Sequence, residues 1–229
     1  MAVFLSASVP AKHSGFENAR LDLNVDEAVI TLARTIFAEG GKLVFGGHPS
    51  ISPLVLTIAS EYVVTSDVEA PLAFIYQSQI FREIIPKKTL VLEEMGYGRI
   101  VWTAAAEGEQ LSRDEKTGRW LAPRSLERMR RAMISHTTPA AFVAIGGMEG
   151  VEQEADIFRE LRPNAPVFAI ESTGGASARL AETRQYVRAI DRSVADAISA
   201  HGWDVDRRPA ALYPVVMEQL VAEIVRESQ

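Results

Sequence analysis

Short apolar runs alternate with longer amphipathic stretches along this chain. Six runs read as buried strands: Ala2–Ala7, Lys42–Phe45, Leu72–Tyr76, Arg99–Ala104, Ala140–Ile145 and Pro166–Ile170. The runs "FVAI" and "VFAI" show no apolar–polar alternation, which is the mark of parallel strands covered on both faces. Between them lie stretches with apolar residues at helical spacing. One spans Val25–Glu39, with Ala28, Leu32, Ile36 and Phe37 on one face, Asn24 placed to cap it and Gly40-Gly41 to end it. Ser52-Pro53 marks a second helix start. Ile80–Pro86 allows a turn or two of helix, and Glu107–Pro123 reads as a loop or hairpin. Ser125–Ser135, Glu152–Leu161 and Leu212–Arg226 complete the predicted helices. Strands alternating with helices predict an α/β fold: a Rossmann-like parallel sheet with helices on both faces. The expected organisation is one domain over residues 1–229, with 191–229 as a C-terminal helical addition.

Bulk composition narrows the function. Of the 229 residues, 47% are apolar and 24% charged, as in ordinary globular proteins. The net charge of −6 argues against a nucleic-acid polymer as partner, because phosphate tracking needs clustered Lys and Arg. The absence of cysteine excludes disulfides, thiolate metal sites and a cysteine nucleophile. His13, His136 and His201 are isolated, so no metal site is expected. The N-terminus lacks the basic region of a signal peptide, and no apolar run reaches the ~18 residues of a membrane span. The expectation is a cytoplasmic protein without a membrane partner.

Candidate chemistry gathers at the predicted strand ends, where open parallel sheets bind ligands. The first ends in "SASVP", with Ser6 and Ser8; the second in "GGHP", with Gly46, Gly47 and His48. "GGMEG" follows the fifth run, with Gly146, Gly147, Met148, Glu149 and Gly150. "ESTGGAS" follows the sixth, with Glu171, Ser172, Thr173, Gly174 and Gly175. Glycine lets a ligand approach the backbone, and successive N–H groups at a helix start can hold an anion. Such residues also serve plain turns, but their coincidence at all these ends points to a shared crevice. No loop carries the dinucleotide or P-loop spacing. Arg128, Arg130 and Arg131 read as a solvated helix face, and Trp102 and Trp120 as packing residues. Trp203, between Gly202 and Asp204, has no functional reading.

"FGGHPSISPLV" and "AIGGMEGVEQEADIF" together resemble the SLOG superfamily, a Rossmann-like group that includes the Lonely Guy cytokinin-activating phosphoribohydrolases. Those enzymes carry a P-G-G-x-G-T-x-x-E motif at a helix start. Here Gly146, Gly147 and Gly150 match its glycines. Glu154 matches its glutamate if Glu149 is an inserted residue. Ile145 and Val151 stand where the motif has Pro and Thr, and the motif assigns no residue to the enzymes' catalytic arginine. The resemblance implies a nucleotide-derived ligand, no cofactor and a homodimer or higher oligomer. The departures bring the chain nearer to the nucleotide-sensing SLOG domains of bacterial defence systems. Two expectations stay open. One is a binding module, with phosphates on glycine-loop amides and glutamates on ribose hydroxyls. The other is an N-glycosidic hydrolase or transferase, with Glu154 and then Glu149 as catalytic carboxylates.

Overall fold

The computed structural model describes residues 1–10, 21–65, 71–115, 120–202 and 212–227. The readings of His13 and Trp203 lie outside these residues. A seven-stranded, all-parallel sheet runs through the molecule, formed by β1 (Ala2–Ser8), β2 (Lys42–Gly46), β3 (Ala73–Ser78), β4 (Arg99–Thr103), β7 (Ala141–Gly146), β8 (Val167–Ile170) and β9 (Val187–Ala189). Its order is β4-β3-β2-β1-β7-β8-β9. The chain steps outward from β1 to β4, returns to place β7 beside β1, and steps outward again. That reversal makes the β1–β7 edge the topological switch point.

Strand side chains alternate between two cores. Val3 and Leu5 of β1, Val143 and Ile145 of β7, and Phe168 of β8 face the first. Helices α1 (Leu21–Ala38), α2 (Ile51–Thr65), α7 (Ile190–Ser199) and α8 (Tyr213–Glu227) cover that face. Phe4, Val44, Phe142 and Val167 face the second core, beneath α4 (Pro123–Thr137), α5 (Glu149–Leu161) and α6 (Gly175–Thr183). Phe4, Phe142 and Phe158 interlock there, with ring centroids 5.0 Å apart for Phe4–Phe142 and 5.5 Å for Phe142–Phe158. The double coverage explains the unbroken apolar runs in the sequence.

Some boundaries differ from expectation. Helix α1 begins at Leu21, so Asn24 lies inside it and is not its cap. An asparagine in a helix interior costs only a few tenths of a kcal/mol, less than an added hydrogen-bonded turn returns. Gly40 and Gly41 do end the helix, their N–H groups donating to Phe37 and Ile36 carbonyls. The segment after β4 holds a small antiparallel hairpin, β5 (Ser112–Arg113) with β6 (Trp120–Leu121). The Ile80–Pro86 stretch overlaps a 3-10 helix, Gln79–Ile84, followed by an unforeseen helix α3 (Lys87–Glu94). Among the described residues no helix is long and apolar enough to cross a membrane.

Candidate ligand crevice

A cavity of about 420 Å³ opens at the carboxyl ends of β1, β2 and β3. It lies within the usual range for small-molecule sites. Ser6, Ser8, Gly46, Gly47, His48, Met148, Gly150 and Glu154 all line it, so three of the four predicted strand ends meet in one wall.

Helix α5 delivers Glu154. Its inward stripe is Val151, Glu154, Ala155 and Phe158, at the i, i+3, i+4, i+7 spacing of one helix face. Fully buried Phe158 fixes that face against the aromatic cluster. One turn earlier the stripe carries a carboxylate instead of an apolar group. Helix α4 does the same with Arg130, which shares its stripe with Leu126, Met129, Met133 and Ile134. The two charges meet: Arg130 Nε donates to Glu154 Oε1 at 3.0 Å, with side chains only 10% and 13% exposed. Ser6 Oγ donates to Glu154 Oε2 at 2.5 Å. Arg130 Nη1 also donates to Gln153 Oε1 at 2.7 Å.

Arg130 therefore corrects the sequence reading of a solvated basic face. Its neighbours do lie outward: Arg131 pairs with Glu127 and Glu160, and Arg128 reaches the Ala105 carbonyl. The signal that separates them is position, because only Arg130 falls on the apolar stripe of α4. Trp120 likewise lines the cavity mouth, whereas Trp102 packs at the edge of the first core under Arg82.

Two glycines shape the crevice floor. A Cβ at Gly46 would sit 3.3 Å from Met129 Cε and 3.8 Å from Glu154 Oε1. A Cβ at Gly47 would fall 2.3 Å from Gln77 Oε1. The pair thus forms a low saddle at the end of β2, with Glu154 on one side and Gln77 on the other. Its amides are already engaged in part: Gly47 N–H donates to the Tyr76 carbonyl, and His48 N–H to Ser52 Oγ at 2.9 Å.

The later glycine loops are tied to each other. Gly146 N–H donates to Thr173 Oγ1 at 2.8 Å, Gly147 N–H to the Ser8 carbonyl at 2.7 Å, and Ala176 N–H to the Gly147 carbonyl at 3.0 Å. Gly146 and Gly147 take φ of +60° and +89°, values that favour glycine. Glu171, Ser172, Thr173, Gly174 and Gly175 are not in the cavity wall. Glu171 and Ser172 N–H groups donate to Asp191, Glu171 pairs with Arg192, and Thr173 Oγ1 donates to the Ile170 carbonyl. Ser172 Oγ lies 3.2 Å from the Tyr213 hydroxyl, which burial pushes up to about 12. Glu149 sits exposed in the first turn of α5, outside the cavity wall, where it also acts electrostatically on Arg179.

Arg130 depends on the start of α4, whose N-cap Ala122 offers no side-chain hydrogen bond. Glu109 supplies the missing cap from the loop after β4, accepting from Arg124 N–H at 2.9 Å and Ser125 N–H at 2.7 Å. Burial pushes the Glu109 carboxyl up, but hydrogen bonds from Ser125 and the two backbone N–H groups outweigh it. The group ends below the usual carboxylate range. A depressed folded pKa contributes stability above the unfolded value and loses it as pH falls. Glu109→Gln is expected to lower Tm at pH 7, with the gap to wild type closing as acid protonates the wild-type carboxyl. Melting curves across an acid series check this.

Fold and site together define a Rossmann-like α/β protein with a cavity beginning at the switch point of its sheet. The SLOG cluster3 family model matches residues 16–198, and the chain belongs to that family. Among solved structures, the X-ray structure of TM1055, a structural genomics target, is 17% identical. That alignment covers 82% of this chain and 89% of the other, with a TM-score of 0.46. No curated protein matches the chain in sequence.

Proposed function

We propose that the protein binds a nucleotide-derived small molecule in the crevice. The observation that carries this is the Ser6–Glu154–Arg130 set, a buried charged group open to a mostly apolar cavity at the sheet's switch point. Burying an ion pair costs desolvation, so a pair held at a cavity wall is better accounted for by ligand binding than by stability. In this reading Glu154 and Ser6 hold ribose hydroxyls. An anionic group sits at the first turn of α5, at the positive end of the helix dipole. Gly150 there brings the backbone against Arg130, since a Cβ would lie 3.1 Å from Nη2. Membership of the SLOG cluster3 family supports a nucleotide-related role. A sensing role is part of this proposal, carried by the resemblance to nucleotide-sensing SLOG domains.

One observation favours the enzymatic alternative. Arg130 supplies beside Glu154 the cation that motif spacing left unassigned. A carboxylate so placed can stabilise the positive charge that develops at the sugar as a base–ribose bond breaks.

The test combines thermal shift with chromatography on nucleoside monophosphates, NAD, ADP-ribose and cyclic nucleotides. A ligand at a hundred times its Kd adds about 2.7 kcal/mol, or roughly 5–10 °C in Tm for a chain of this size. A shift with the ligand recovered intact supports binding. Release of free base that Glu154→Ala abolishes supports the enzyme. No shift and no release with any of them contradicts both.

A further inference from the structure

The crevice has a second polar end that the reading above does not use. Beyond the Gly46–Gly47 saddle its wall turns apolar, formed by Ile75 of β3, Ile100 of β4, and Phe81 and Ile85 from the segment after β3. Two hydrogen-bonding side chains interrupt that wall. Gln77 and Thr89 both line the cavity and are only 9% and 2% exposed. Thr89 Oγ1 is buried without a hydrogen-bond partner. The Gln77 amide makes no side-chain hydrogen bond among the described residues, but its atoms are not enclosed as the Thr89 hydroxyl is. Buried polar groups are paired in the great majority of cases, and leaving one unpaired is costly. Thr89 is one such group, and with Gln77 in the same cavity wall it marks this end for a ligand that carries polar atoms.

Their chemistry specifies the ligand's shape. A carboxamide offers an acceptor and donors in one plane. Its complement is a flat group with a donor and an acceptor side by side, as on the edge of a nucleobase, the pairing by which Gln and Asn read adenine in DNA. The surrounding isoleucine and phenylalanine side chains suit the apolar faces of a ring. The saddle joins this end to the other: the Gly46 Cβ position lies beside Glu154, and the Gly47 position beside Gln77. From β1 to β4 the crevice crosses three strand spacings, about 14 Å. That length accommodates a base and a pentose lying end to end.

We infer that Gln77 and Thr89 form a base-reading pocket, so that the ligand is a nucleotide whose heterocycle selects it. This rests on the nucleotide reading of the crevice. The pocket places the base beside Ile75 and Ile100 and the sugar at Glu154. It makes Gln77 the residue that sets specificity. Gly47 keeps the path to it open.

The experiment is calorimetric titration of the full chain with AMP, GMP, CMP, UMP and ribose 5-phosphate. Wild type is compared with Gln77→Met, Thr89→Val and Gly47→Ala. The last variant builds a Cβ into the space of the Gln77 amide and displaces it, leaving its chemistry intact. One nucleotide is expected to bind wild type about tenfold or more tighter than the other three and than ribose 5-phosphate. Gln77→Met and Gly47→Ala remove most of that preference, a change of about ten- to a hundredfold, and Thr89→Val a smaller part. Ribose 5-phosphate affinity stays unchanged in Gln77→Met and Thr89→Val. An unaltered preference in Gln77→Met and Gly47→Ala, both melting near wild type, overturns the inference. So does nucleotide binding with no base preference, although the nucleotide reading of the crevice survives it. No binding of any of the five overturns both.

Discussion

Arg130→Met is expected to destabilise the protein by about 3–5 kcal/mol and to abolish ligand binding in the crevice. The methionine keeps most of the packing volume against Met129 and Met133 but removes the only cation that contacts Glu154 among the described ion pairs. A carboxylate that is 13% exposed is then left with the Ser6 hydroxyl as its remaining hydrogen-bond donor. Such a group loses its charge compensation while keeping its desolvation cost. For a chain of this size the loss corresponds to roughly 6–20 °C in Tm. The double variant Arg130→Met/Glu154→Met separates the effects. Its stability returns to near the wild-type value because the uncompensated charge is gone, while binding stays lost. Denaturant melts of the two variants beside wild type check the prediction. Equal stability of the single and double variants would contradict it.

Gly175→Ala has the second large effect. Gly175 has φ of +61°, and a Cβ there would lie 2.6 Å from the Gly147 carbonyl oxygen and 3.1 Å from the Gly146 carbonyl carbon. Both neighbours are backbone, so no side chain can swing away. The left-handed conformation costs an alanine about 1 kcal/mol, and forced overpacking adds about 1–3. The expected loss is therefore about 2–4 kcal/mol. The change also reaches the site, because the two glycine loops share the Ala176 N–H bond to the Gly147 carbonyl, and α5 starts from that loop. Ligand affinity falls along with stability. Gly96→Ala is the control. Its φ is +85°, but nothing lies within 4 Å of the added atom, so only the backbone cost applies. A Gly175→Ala protein melting with Gly96→Ala would show that the loops are not locked together.

These two sites show where the sequence was readable. Strands buried on both faces leave unbroken apolar runs, so β1, β2, β7 and β8 stood out. Strand β9 did not: it has three residues at the sheet edge, none fully buried, and no apolar run to mark it. Helix α3 hid because "KKTLVLEE" buries only Thr89 and has no clear apolar face. Glycine and serine mark the strand ends in the sequence, and residues following β1, β2 and β7 line one cavity. The end of β8 carried the same residue types, but its Thr173 and Ser172 turn inward to brace the Gly146 loop and Tyr213. Composition cannot separate a loop that lines a cavity from one that braces another loop. Arg130 and Glu154 did leave a signal, each being a charge within an apolar helical stripe. Gln77 left a fainter one, a polar residue closing the run "AFIYQ". Thr89 left none, since its burial arises only from the packing of α3 over the cavity.

The measurement that bears most directly on this account is the crystal structure of the protein soaked with the nucleotide that binds tightest in solution. The account predicts difference density lying over the Gly46–Gly47 saddle, with the sugar against Glu154 and Ser6 and the base edge on Gln77. Density confined to the Glu171–Gly175 loop, or an empty crevice under saturating nucleotide, would contradict it.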